Sequence, residues 1–196
     1  MIRKTVLTVV VAMLLITIVA VPAEGAARGV LVDNGCVGVS GIFDPRWKMH
    51  PHTYGCAISP LWVTYDGRYQ NFERGQMVWS PGKGDYMVIS GWWSSFAYGG
   101  TTSFKLDLEW GTSAPFAYER WHIRLDRDNQ LGLAEGTCFV VAGSRCHPTS
   151  GSASFTDTVL WPGAIAPGHS YQLKVRGCHS HYDCPEGWTI PVWLWF

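Results

Sequence analysis

The sequence predicts an all-β protein, and two observations lead to that prediction. After residue 27, runs of roughly four to eight residues rich in Val, Ile, Tyr, Phe and Trp recur between clusters of Gly, Pro, Ser and Asn, as is typical of strands joined by turns. In three of these runs apolar and polar residues alternate, which indicates strands with one buried and one solvated face. The three runs are residues 104–110, 121–125 and 171–175.

The first segment of the chain, residues 1–27, is predicted to be a signal peptide rather than part of the fold. Arg3 and Lys4 precede an apolar run at residues 6–21, and small residues follow, with cleavage expected between Ala23 and Ala27. A retained anchor is the alternative, although the run is a little shorter than the roughly 20 residues that span a bilayer. We therefore expect a protein that is secreted or displayed at the cell surface and meets the membrane only through an uncleaved signal segment.

Six cysteines follow the signal segment, and an even number in an exported chain predicts disulfides. Fifteen connectivities exist for six cysteines, and short loops favour local bridges. The favoured pairs are Cys36–Cys56, Cys138–Cys146 and Cys178–Cys184. The alternative is that some cysteines are free or bind a metal, and His179 and His181 between the last pair are the histidines that such a site would use.

Composition and motifs argue against several function classes. The chain has 15 basic and 15 acidic residues, so it offers no excess positive charge for nucleic acid. Eleven Trp among so few charges indicate a packed chain rather than a disordered one. The sequence contains no nucleophile elbow, zinc-protease motif, phosphate loop or dinucleotide fingerprint. We therefore expect a protein that is not an enzyme and uses no cofactor.

Two carboxylate pairs are candidates for catalysis, Asp107 with Glu109 and Asp126 with Asp128. Glycoside hydrolysis needs two carboxylates that flank a cleft. Here each pair lies on one strand face or in a turn, so we expect solvated charges. Residues 126–137 begin like a calcium loop, but Leu131 stands where such a loop requires Gly.

The segment at residues 67–81 resembles the LGFP repeat, which is found in exported, cell-wall-associated bacterial proteins. The positions that fit the repeat are Tyr69, Gln70, Phe72, Gly75, Met77, Val78, Trp79, Ser80 and Pro81. The Leu-Gly-Phe-Pro motif itself is replaced by residues 54–57, and a second copy is not found in the sequence. The resemblance implies association with the cell envelope.

Four aromatic residues are candidate ligand contacts: Tyr69, Trp79, Trp92 and Trp93. An exposed aromatic ring is a common surface for stacking against a sugar or a peptide. The competing interpretation, which the sequence leaves open, is that these rings only fill a core.

Residues 102–196 resemble a fibronectin type III or related immunoglobulin-like β-sandwich. Residues 108–110 are similar to its second strand, with the core Trp110, and residues 121–125 are similar to its third strand. Pro167, Gly168 and Tyr171 are similar to the corner in which a Tyr hydroxyl returns to the backbone just upstream. Such sandwiches carry many functions, so this likeness assigns none.

The domain prediction is therefore a signal peptide at 1–27, an LGFP-like β unit at 28–91, a seam at 92–101 and a fibronectin-type sandwich at 102–196. The glycines of the seam suit a loop, but its four aromatic residues do not suit a flexible linker, so we expect the two units to pack on each other there. The predicted function is a secreted or envelope-associated binding or adhesion module whose partner is an extracellular glycan, a wall polymer or a protein. One alternative is a structural subunit of a surface assembly, for which the apolar run at 192–196 would supply contacts. The other is a secreted hydrolase with an unrecognised site.

Overall fold

The computed structural model describes residues 36–39, 41–84, 87–138, 144–156 and 164–196, so the predicted signal peptide at 1–27 lies outside the described part. Within that part the protein is all-β, with two antiparallel sheets packed in the manner of a β-sandwich. This confirms the predicted fold class. None of the helices among the described residues is long and apolar enough to cross a membrane.

Short helical turns come first, followed by the strands. The turns are a 3₁₀ turn (Gly41–Phe43), α1 (Asp44–Met49) and α2 (Pro51–Tyr54). The strands in the described residues are β1 (Trp62–Thr64), β2 (Gly67–Phe72), β3 (Gly75–Trp79), β4 (Val88–Tyr98), β5 (Thr101–Gly111), β6 (Arg120–Arg127), β7 (Gln130–Thr137), β8 (Arg145–His147), β9 (Ser150–Thr156), β10 (Ser170–Cys178) and β11 (Val192–Trp195). Proline stands in the first turn of both α-helices, where its missing N–H costs nothing.

The strands form one large and one small sheet. The large sheet has the order β1-β2-β3-β4-β5-β9-β8, and the small sheet has the order β11-β10-β6-β7. Adjacent strands are antiparallel throughout. Because the large sheet contains three more strands than the small one, part of its inner face extends beyond the edge of the small sheet.

The main core lies between the two sheets and follows the alternation seen in the sequence. Trp110 of β5 and Trp121 of β6 are both buried, with ring centroids 5.7 Å apart. The apolar positions of the three alternating runs are buried with them, apart from the half-buried Phe104. The members from these runs are Leu106, Leu108, Ile123, Leu125, Tyr171, Leu173 and Val175. Full burial of such side chains contributes roughly 1.5–3 kcal/mol each.

A second, smaller core covers the opposite face of the large sheet. Phe43 and Tyr54 of the helical segment are fully buried against Phe72, Met77 and Val88. The repeat-like part of the chain is therefore covered on one face by helical turns, while the small sheet covers β3 and β4 on the other face.

The segment at 92–101, predicted to be the seam between two units, forms most of a long β-hairpin rather than the loop that its glycines suit. Strand β4 runs to Tyr98 and β5 begins at Thr101. Gly99 and Gly100 make the two-residue turn with φ of 59° and 79°, which suits the turn that matches strand twist. One sheet thus receives strands from both predicted units, and the division of the chain into domains stays a prediction.

The three predicted disulfides are confirmed. Cys36–Cys56 ties the start of the described chain to the end of α2, Cys138–Cys146 links the end of β7 to β8, and Cys178–Cys184 closes a loop after β10. No cysteine of the described residues is free.

The predicted return of the Tyr171 hydroxyl to the backbone is also present. The hydroxyl accepts a hydrogen bond from the Ala166 N–H at 2.8 Å and lies 3.3 Å from the Ala164 carbonyl oxygen. Burial raises the pKa of Tyr171 above its ordinary value. The corner before β10 is therefore fixed by one buried side chain.

Candidate binding groove

A groove forms where the large sheet extends past the edge of the small one. Strand β11 is the edge of the small sheet and packs over β3 and β4, with Val192 and Leu194 buried. At Gly91 of β4 a Cβ atom would lie 2.6 Å from Val192 Cγ1, so only glycine permits this close approach. Strands β1 and β2 continue beyond β11 and form the floor of the groove.

Two side chains of the large sheet fix the wall of the groove to its floor. The Trp193 N–H donates to Gln76 Oε1 at 2.9 Å, and the Ile190 N–H donates to Ser80 Oγ at 3.1 Å. Both bonds satisfy backbone donors on the outer side of the C-terminal segment, which would otherwise be a free sheet edge. They hold residues 190–193 in register with the floor.

The central cavity of the groove has a volume of about 530 Å³. Its lining residues are Thr64, Asp66, Tyr69, Asn71, Gln76, Val78, Ile190, Pro191, Trp193 and Trp195. A smaller cavity adjoins it and shares Asn71, Trp193 and Trp195, and a shallow one on the other side shares Asp66, Ile190 and Pro191. Since the three cavities share walls, the groove is one extended depression along the C-terminal segment.

Aromatic faces are the main apolar surfaces of the groove. Tyr69 of β2 stacks on Trp62 of β1, with ring centroids 6.4 Å apart and planes 22° from parallel. Trp62 and Trp195 keep 41% and 58% of their surface exposed, which is high for Trp in a packed protein. Trp195 lines the groove as an open aromatic platform on the wall. Trp62 pairs with Tyr69 and so adds a second platform on the same face of the sheet, beside the cavity.

The polar groups of the groove are partly preoriented. Gln76 Nε2 donates to Asn71 Oδ1 at 2.8 Å, and the Oε1 of the same Gln76 accepts from Trp193. Because the Asn71 oxygen is used in this way, its NH₂ group is the part of the amide left for a ligand. Asp66 is exposed and adds a carboxylate at the turn between β1 and β2.

The four predicted contact residues divide between the two faces of the large sheet. Tyr69 lines the central cavity and Trp93 lines the smaller one, where it stacks on Phe196 at 4.9 Å. Trp92 packs edge-on against Tyr54, and Trp79 lies beneath the Arg68 guanidinium, so both are on the helical side. Alternation along the strands causes this division. Tyr69 and its partner Val78 point into the groove, so the neighbouring pair, Arg68 and Trp79, points to the opposite face.

The sequence interpretation missed the groove residues contributed by the C-terminal strand and by β1. In the sequence, Trp193 and Trp195 are part of an apolar run and Trp62 belongs to no motif that predicts a ligand contact. The Trp193 N–H donates to a side chain 117 residues earlier in the chain. A local sequence pattern gives no information about contacts at such a separation. The available signal was the apolar character of 192–196 on both strand faces.

Two of the four carboxylates predicted to be solvated, Asp107 and Asp126, are buried. Asp107 is 7% exposed and accepts from Ser154 Oγ at 2.6 Å and from Lys105 Nζ at 2.8 Å. Asp126 is fully buried beside Arg124 and Lys174. The expectation of solvation is therefore wrong for these two, because neighbouring cations on the same sheet face allow burial of the charge.

The two histidines named for a metal site face different partners. His179 lies 5.4 Å from the Tyr118 ring, whereas His181 lies 5.8 Å from the His122 ring. Ligand atoms of His122, Cys178 and Cys184 do lie within 4.8 Å of one another, but the two sulfurs are joined in a disulfide. Oxidised sulfur supplies no thiolate for a metal ion.

Comparison with known proteins identifies the groove floor. The family model of the LGFP repeat matches residues 55–97, which contain β1, β2, β3 and nearly all of β4. The same comparisons found no match to a curated protein and none to a solved structure. The LGFP repeat suggests a cell-wall-associated module, and the three disulfides suggest an extracellular protein.

Proposed function

We propose that this protein is a non-enzymatic, secreted or envelope-associated module that binds a glycan polymer of the cell wall in the groove. The observation that carries the proposal is the open groove whose floor is the LGFP repeat and whose wall is the C-terminal strand. The LGFP repeat indicates association with the cell wall, and the groove provides the surface on which a glycan would bind.

The chemistry of the groove favours a sugar chain over a compact ligand. A ligand pocket usually encloses its ligand, whereas this depression is open along its length and continues through three joined cavities. Stacked Trp62 and Tyr69 and exposed Trp195 offer flat faces for the C–H side of sugar rings. Asn71 and Asp66 offer a donor and an acceptor to hydroxyl groups.

The strand order supports an immunoglobulin-like scaffold for this module. Strands β4-β5-β9-β8 face β11-β10-β6-β7, which corresponds to the A-B-E-D and G-F-C-C′ sheets of that sandwich. The Tyr171 corner before β10 is in keeping with the same likeness. On this proposal the repeat adds β1, β2 and β3 beside the first strand of the sandwich and so creates the groove.

The spacing of the groove carboxylates supports binding rather than hydrolysis. Asp66 lies at one end of β2 and Glu73 at the other. Seven residue steps along an extended strand place their Cα atoms about 20 Å apart. Glycosidic carboxylates are separated by only about 5–10 Å.

A structural role in a surface assembly remains the second candidate, and one observation favours it. Strand β1 is an edge of the large sheet, and its Val63 is 70% exposed. An exposed apolar edge can pair with another chain. Sedimentation as a monomer at micromolar concentration would argue against that role.

The test of glycan binding is cosedimentation of the purified mature protein with insoluble wall glycan. Replacing Trp195→Ala is expected to weaken binding by about tenfold, the effect of losing one stacking surface worth about 1.4 kcal/mol. Tyr98→Ala is the matched control, since Tyr98 is an aromatic residue of similar exposure (61%) at the tip of the β4–β5 hairpin, outside the groove. Failure of the unaltered protein to sediment with wall glycan, or equal losses in both variants, would overturn the proposal.

A further inference from the structure

The outer face of the small sheet carries a row of basic side chains away from the groove. In the pairing of β6 with β10, Arg120 lies opposite Cys178, His122 opposite Arg176, and Arg124 opposite Lys174. Their neighbours Trp121, Ile123 and Val175 are buried in the main core, so strand alternation places this row on the outside.

One half of the row is neutralised. Asp126 Oδ1 accepts from Arg124 Nε at 2.7 Å, and Asp126 Oδ2 lies 3.1 Å from Lys174 Nζ. Glu135 of β7 adds a second carboxylate, 3.7 Å from Arg124 Nη1. Arg124 and Lys174 therefore have acidic partners.

The other half contains donors that lack acceptors. Arg176 Nη2 lies 3.4 Å from His122 Nδ1, and because an Arg N–H only donates, the ring proton of neutral His122 is on Nε2. That Nε2, the Nε of Arg120 and the Nε of Arg176 are all buried without a hydrogen-bond partner among the described residues. Buried polar groups are normally satisfied, so three such donors in one cluster point to a missing acceptor.

An aromatic ring and nearby charged groups surround this cluster. The Arg176 guanidinium lies 4.5 Å from the centre of the Trp188 ring, a cation–π contact that favours this position of the side chain. Burial, followed by the nearby Arg176, His181 and Arg120, lowers the pKa of His122, while the Glu135 carboxylate acts in the opposite direction without reversing the shift. Arg120 and Arg176 are half-buried, so part of each side chain remains open to solvent.

We propose that Arg120, His122 and Arg176 form a binding site for a phosphoryl oxyanion. The three donors lie on two neighbouring strands, with His122 opposite Arg176 and Arg120 two residues along β6 on the same face. Guanidinium groups match the geometry of phosphate oxygens. The Cys178–Cys184 loop places His181 beside His122 at the rim of the site. The phosphoryl group is either free phosphate or part of a phosphate-bearing polymer, and this site shares no residue with the groove cavities.

The first experiment titrates the oxidised full-length mature protein with inorganic phosphate at constant ionic strength. Binding is followed by calorimetry and by the ring NMR signals of His122. We expect saturable binding that shifts those signals, because the ring of His122 lies beside the Arg176 guanidinium that would hold the anion. Absence of saturable binding, or binding that leaves the His122 signals unmoved, would overturn the proposal.

Variants separate a formed site from general charge attraction. Arg176→Gln is expected to weaken phosphate binding by about tenfold, the loss of a charge-assisted hydrogen bond. Arg145→Gln removes the same charge from an exposed position on β8 of the other sheet and is expected to leave binding unchanged. Arg120→Gln provides an independent test if Arg176→Gln does not fold, and equal losses in Arg145→Gln and either site variant would contradict the proposal.

A second titration, with soluble poly(glycerol phosphate), distinguishes the sources of the phosphoryl group. Polymer binding that inorganic phosphate displaces assigns the site to a phosphate-bearing polymer, whereas binding of inorganic phosphate alone assigns it to the free anion. Trp195→Ala is expected to retain phosphate binding, so failure of glycan binding in the groove and failure of this site are separable results.

Discussion

At the scale of single residues, Asp126 shows how the small sheet tolerates a fully buried charge. Its carboxylate accepts hydrogen bonds from Arg124 Nε and from the Gly132 N–H, both at 2.7 Å, and forms an ion pair with Lys174 Nζ at 3.1 Å. Burial by itself would raise the pKa of Asp126, but these three contacts outweigh burial and hold the pKa below its ordinary value. Ionised Asp126 therefore stabilises the folded protein.

Replacing Asp126→Asn is expected to destabilise the fold by about 3 kcal/mol, because Arg124 and Lys174 would lose their shared partner. The contribution of Asp126 is present above the ordinary Asp pKa of 3.8 and is lost as pH falls through the lowered folded value. Urea unfolding of both proteins from pH 7 downwards measures this, and the difference between them should shrink below about pH 4. Asp183→Asn, in an exposed loop, is the control, and a loss as large as that of Asp126→Asn would contradict the argument.

At the scale of elements, the strands were predictable but their assembly was not. Alternation at 104–110, 121–125 and 171–175 placed the core residues correctly because a strand has a two-residue period whatever sheet it joins. Local composition was a poorer guide at 92–101. Gly99 and Gly100 suit a loop, but they form only the two-residue turn of a long hairpin. The four aromatic candidates were split between faces because the sequence does not show which face meets a second sheet.

The groove itself depends on an offset between sheets that no single element encodes. The groove exists because β11 is the edge strand of the small sheet and lies over β3 and β4. A hydrogen bond between Gln76 and Trp193 and the close approach of Gly91 to Val192 hold β11 there. Both contacts are formed by residues about 100 positions apart. Gly91 does not have a positive φ that would require glycine. Its lack of a side chain is instead explained by the close approach of Val192.

Replacing Gly91→Ala is expected to destabilise the fold by roughly 1–3 kcal/mol, because the added methyl group would overlap Val192 Cγ1 in a packed core. Val192→Ala removes the obstructing atom, so the double variant should lose less stability than the two single losses added together. Denaturant unfolding of the four proteins gives the coupling energy. Strict additivity would mean that β11 does not pack on β4 in this way.

At the scale of the whole molecule, three disulfides stabilise a fold that has two separate hydrophobic cores. The disulfides lie at the helical cover, at the β7–β8 connection and at the loop after β10, so each secures a region at the periphery of the main core. In the chain-entropy picture even the shortest of these loops contributes about 2 kcal/mol. Such a distribution suits a protein that folds after export into an oxidising compartment.

Export and oxidation can be tested together by the intact mass of the protein recovered from the cell exterior. The expected mass lacks the first 23 to 27 residues, as the charge and small-residue pattern of the signal segment predicts. It is also lower by six hydrogens, two for each of the three disulfides. Alkylation should add mass at the six cysteines only after reduction, because oxidised sulfur does not react. A full-length mass with alkylated cysteines before reduction would contradict the exported, oxidised protein on which glycan binding at the wall depends.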